Sequence, residues 1–110
     1  MSKVEFEEFL DSALLKVLET GGLESSLDKI ALVFSEFFPD SKIWFAEKLG
    51  KRVSYITGAG QESFLEAREF ELKKNYLLYL ENIELTGEER EAFIDFINLI
   101  IYIKDDKDES

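Results

Sequence analysis

The chain has 110 residues, of which 13 are basic and 24 acidic, giving a net charge of −11; 45% are hydrophobic, enough for one domain around one modest core. It has no cysteine and no histidine, which excludes disulfides, thiolate and imidazole metal sites, and every triad that uses histidine as its base. The acidity argues against nucleic acid and anionic membrane surfaces as partners, because both need a basic patch, and leaves a basic protein partner open.

The N-terminal stretch Met1 to Glu8 lacks the basic region and apolar core of a secretory signal. The richest apolar run, Phe93 to Ile103, is interrupted by Asp95 and Asn98 and is too short to span a bilayer. A cytoplasmic location is therefore the expectation. Abundant Glu and Lys beside scarce Cys, Met, Asn and Gln fits a heat-adapted (thermophile) source.

From Val4 to Thr20, the residues Phe6, Phe9, Leu10, Ala13, Leu14, Val17 and Leu18 share one helical stripe, and Gly21-Gly22 offers a left-handed stop. A second helix is predicted from Ser26 to Phe38, opened by Ser25 and Asp28 as a capping box and closed by Pro39. The period then changes to two. Strands are predicted over Lys42–Lys48 and Arg52–Thr57, turning at Leu49-Gly50-Lys51, with Gly58-Ala59-Gly60-Gln61 as a loop. A third strand is expected from Phe64 to Leu72, with Glu66-Ala67-Arg68-Glu69 also compatible with helix, and, after Lys73-Lys74-Asn75, a fourth from Tyr76 to Ile83. Thr86-Gly87-Glu88-Glu89 is a capping box for a last helix that runs to Ile103.

Helix, helix, hairpin, hairpin, helix implies an α+β two-layer sandwich, an antiparallel sheet of about four strands covered on one face by the N- and C-terminal helices. One domain is expected over residues 1–104, with 105–110 as a disordered acidic tail.

The last helix is apolar around most of its girth, more than one packed side requires. Either the first helix covers its second side within the chain, or that side is a homodimer interface built from Ile94, Ile97, Ile101, Leu10 and Leu14. Strand alternation offers a second candidate. If Ile43, Phe45, Val53, Tyr55, Leu78 and Leu80 face the helices, then Trp44, Ile56, Arg68, Phe70 and Tyr79 form an open face for a ligand or partner segment. The plainer reading is a half-exposed sheet whose aromatics reflect strand propensity.

No motif points to catalysis. Gly58-Ala59-Gly60 lacks the further glycines and the Lys of a phosphate loop. Asp105, Asp106 and Asp108 lack the Gly and terminal Glu of a calcium loop. The expectation is a non-enzyme with no catalytic residue, no cofactor and no metal.

Tyr76-Leu77-Leu78-Tyr79-Leu80-Glu81-Asn82 followed by Leu85-Thr86-Gly87-Glu88-Glu89 resembles the closing strand and final helix of the GAF sensory-domain family. Leu27 to Phe38 with Pro39-Asp40-Ser41-Lys42-Ile43-Trp44-Phe45 is similar to that family's opening helix and first strand. The region that builds the family's ligand pocket is shortened here to about Gly58 to Ser63. The resemblance implies a reduced GAF-like regulatory or dimerisation module of a signalling protein, without a small-molecule pocket, that relays signals by repositioning terminal helices. The alternative is a stand-alone acidic adaptor or chaperone that binds a protein segment on its exposed sheet face.

Overall fold

A computed structural model describes residues 3–62 and 66–105. Three helices, α1 (Lys3–Leu18), α2 (Leu23–Phe37) and α3 (Gly87–Lys104), accompany four strands, β1 (Lys42–Leu49), β2 (Arg52–Gly60), β3 (Arg68–Glu71) and β4 (Tyr76–Glu81). A single 3₁₀ turn, Lys73–Asn75, joins β3 to β4. The strands form one antiparallel sheet in the order β2-β1-β4-β3. The fold is the expected α+β sandwich, with the helices on one face of the sheet.

The core follows from the two sequence periods. Ile43 and Phe45 of β1 stand opposite Leu80 and Leu78 of β4, and all four are buried against the helices. Leu27, Ile30 and Phe34 supply the inner stripe of α2, and Phe93, Ile97 and Ile100 that of α3. Onto these two helices α1 lays Phe6, Phe9, Ala13 and Val17. Rings dominate the junction. Phe34 and Phe93 are stacked at 5.6 Å between centroids, and Phe9 meets both edge-on at 5.3 Å, arrangements that add to burial through ring quadrupoles.

Several boundaries differ from expectation for local reasons. α2 begins three residues early, after Gly22 at φ 74°, and has no side-chain cap. Ser25 and Asp28 are already inside it, so their capping box does not form; Asp28 instead accepts a 2.7 Å hydrogen bond from the Thr57 hydroxyl on β2. The Thr86 box does form. Glu89 N–H donates to the Thr86 hydroxyl at 3.1 Å, and Thr86 N–H donates to the Glu89 carboxylate at 2.8 Å.

Gly58-Ala59-Gly60 is strand rather than loop, paired with Trp44, Ile43 and Lys42. A side chain at residue 58 would begin 2.6 Å from Trp44 Cβ, so glycine lets β2 continue past the tryptophan. The third strand is shorter than expected, and Phe64 and Leu65 lie outside the described residues. So do residues 106–110 of the expected tail. Asp105, its first residue, is seated: its carboxylate side chain is 3% exposed and 3.8 Å from the Lys74 ammonium.

Candidate functional site

The two terminal helices run parallel. Phe6, near the start of α1, lies 6.2 Å from Phe93 near the start of α3. At the far end the Lys104 ammonium of α3 donates to the carbonyls of Val17, at 2.7 Å, and Thr20. Those carbonyls close α1, where the helix dipole favours a cation. Lys104 thus ties the chain's last helix to the end of its first.

Between the starts of these helices lies a cleft of about 280 Å³, with Phe6, Leu10 and Ala92 in its lining and Glu7, Glu88 and Glu89 around them. The helical period extends its two walls from Leu10 to Leu14 and Leu18, and from Ala92 to Phe96, Leu99 and Ile103. Here the apolar side chains are outside the core: Leu14 is 40% exposed, Leu18 70%, Leu99 53% and Ile103 63%. Leu15 and Tyr102 are exposed as well. The surface therefore changes character along the helices, acidic at their starts and apolar toward their ends.

Of the five residues expected at a helical interface, Leu14 lies on this surface and half-buried Leu10 lines the cleft. Ile94 is half-buried against the core. Ile97 and Ile101 are 0% exposed and belong to the core, not to a surface. The reason is that α3 contacts α1, α2 and the 3₁₀ turn, so most of its apolar girth is used within the chain. The exposed part is Leu99, Tyr102 and Ile103, on the flank that the core leaves free.

The sheet face away from the helices is the second candidate. Trp44 and Tyr79, opposite each other on β1 and β4, are stacked at 4.9 Å with 7° between ring planes. The Lys42 ammonium sits 5.4 Å from the Trp44 ring centroid and 2.8 Å from Glu62, whose hydrogen bond raises the lysine's pKa. Tyr79 donates to Glu69 at 2.6 Å; that bond, with some desolvation, pushes the phenol up to about 12. Ala46 and Leu77 are buried beside this pair, outside the helix-side core.

The other residues assigned to this face point toward the helices. Arg68 pairs with Leu80 and Phe70 with Leu78, so register puts both on the helix side, where Phe70 packs against the core. Glu69 and Glu71 take the open face instead. On β2 a bulge is responsible. Phe45 pairs with Thr57 and Ala46 with Tyr55, leaving Ile56 as the extra residue. Ile56 and Thr57 both turn to α2, and Val53 and Tyr55, 53% and 65% exposed, join the open face.

A third hollow, about 440 Å³, lies at the end of the helix–sheet layer, lined among others by Leu23, Leu27, Ile56, Tyr76 and Lys104. Burial first, and then the negative charge of Asp105, raises the Tyr76 phenol. Among the described residues no group of carboxylates is placed to hold a metal ion, and no helix is long and apolar enough to cross a membrane. No protein-family profile matches the chain, and no curated protein is significantly similar to it.

Proposed function

We propose that the chain is a regulatory dimerisation module, in which the C-terminal halves of α1 and α3 meet the same surface of a second copy. The observation that supports this most is the row of exposed Leu14, Leu18, Leu99 and Ile103 on two parallel helices that begin and end the fold. A contiguous apolar patch on a small acidic domain marks an association surface, and a two-fold contact uses one patch twice. Both helices sit at the ends of the fold, so a shift in their packing would pass to whatever the chain is joined to. This is the mode of action implied by the GAF-like ends, in a cytoplasmic protein without catalytic chemistry.

Sedimentation velocity tests it. The wild-type chain is expected at twice its monomer mass, and Leu99→Glu/Ile103→Glu at the monomer mass with an unchanged helical spectrum, since both side chains are exposed. A monomeric wild type, or a double variant that still dimerises, would sink the reading. A second reading, an adaptor that holds a protein segment on the open sheet face, rests on the exposure of Val53 and Tyr55 beside the Trp44–Tyr79 stack. Val53→Lys/Tyr55→Lys should then abolish partner capture and leave the mass unchanged.

A further inference from the structure

The cleft between the starts of α1 and α3 differs from the apolar patch that continues it. Its lining is apolar, with Phe6, Leu10 and Ala92 contributing, and Glu7 and Glu88 on its rim are exposed. The charged residues in its lining, Glu7, Glu88 and Glu89, are all acidic, and the starts of both helices are rich in acid: Glu5, Glu7 and Glu8 against Lys3 on α1, and Glu88, Glu89, Glu91 and Asp95 against Arg90 on α3.

Such a rim repels a second copy, which would bring the same carboxylates to the same place. It attracts Lys and Arg. At about 280 Å³ the cleft lies at the small end of ordinary ligand sites, roughly 300–1,000 Å³, and has room for a large side chain.

We propose that this cleft docks a basic peptide segment of another protein, which inserts one large apolar side chain between α1 and α3 and sets flanking Lys or Arg against Glu7 and Glu88. The apolar lining supplies burial for the anchor, and the carboxylates select its neighbours. Glu89 keeps its place in the Thr86 cap, which holds the α3 side of the cleft rigid. The segment would bind at the opposite end of the helix pair from the dimer patch, so docking and dimerisation are separable.

The probe is a fluorescein-labelled synthetic peptide with one leucine between two lysines on each side, followed by anisotropy. Two control peptides replace the leucine by alanine or the lysines by glutamates. Binding of the leucine peptide is expected about tenfold tighter than that of the alanine peptide, from the apolar area lost. The glutamate peptide should not bind. Ala92→Trp, at an exposed position, should fill the cleft and erase the difference between leucine and alanine. Glu7→Gln/Glu88→Gln should weaken the leucine peptide about tenfold.

Each measurement is repeated on Leu99→Glu/Ile103→Glu, so failure of dimerisation and failure of docking are read separately. Equal binding of the leucine and alanine peptides would overturn the proposal. So would undiminished binding to Ala92→Trp, or no binding of the leucine peptide at all. A change in the solution mass of Ala92→Trp would assign the cleft to contacts between copies, and would overturn it as well.

Discussion

Tyr79 shows how one side chain can carry a structural contact and a measurable signature together. Its ring is stacked on Trp44, and its hydroxyl donates to Glu69, two strands away from the tryptophan, at 2.6 Å. Ionising the phenol would break that bond and place two negative charges together, so the folded pKa is pushed up to about 12, against about 10 for a free tyrosine. The sign of the linkage follows. The folded state holds the proton more tightly than the unfolded state, so the stabilisation is complete below about pH 10 and is lost as pH rises toward 12. Absorbance titration of wild type minus Tyr79→Phe should give a phenol ionising near 12, and Glu69→Gln should bring it down toward 10. A Tyr79 that titrates near 10 in the wild type would mean the Glu69 bond does not form in solution. Strand alternation had already set Trp44 and Tyr79 on one face; the Glu69 partner was not legible, because its pairing with Tyr79 depends on register.

At the scale of elements, α1 is joined to the rest of the fold by rings near its start and by a lysine at its end. Its Phe6 and Phe9 enter the ring cluster, and its last carbonyls are held by Lys104. Hydrogen bonds to a charged group contribute about 1.5–3 kcal/mol each, and this site is only partly buried. Lys104→Met is therefore expected to destabilise the fold by about 1–3 kcal/mol in urea denaturation. Amide exchange should quicken at Leu15 to Thr20 while β1 and β4 stay protected. Uniform acceleration, or none, would show that Lys104 does not anchor α1. The helices themselves were legible because a 3.6-residue stripe and a Thr-led cap are local signals. The face that β3 presents and the bulge on β2 were not: strand faces are set by pairing, so one extra residue at Ile56 turned Val53 and Tyr55 outward. The same limit applied to α3. Its sequence showed an apolar girth but not which side the first helix would cover, and Ile97 and Ile101 went to the core.

For the whole molecule, charge and apolar surface are arranged along one axis, and this gives the two proposed contacts opposite responses to salt. Each copy carries a net charge of −11. Bringing two copies together is opposed by that repulsion, and the apolar contact among Leu14, Leu18, Leu99 and Ile103 has to exceed it. Added salt shortens the screening length from about 30 Å at 0.01 M to about 8 Å at 0.15 M, which removes repulsion and leaves apolar burial intact. Dimerisation should thus tighten as salt rises. Docking of a basic peptide at Glu7 and Glu88 gains from attraction, and the same salt should weaken it. Sedimentation and anisotropy series over one range of sodium chloride would read both slopes. Slopes of opposite sign fit an apolar dimer patch at one end of the helix pair and an acidic docking cleft at the other. A dimer that dissolves with salt would instead be held by ion pairs, and an exposed leucine patch has none to offer.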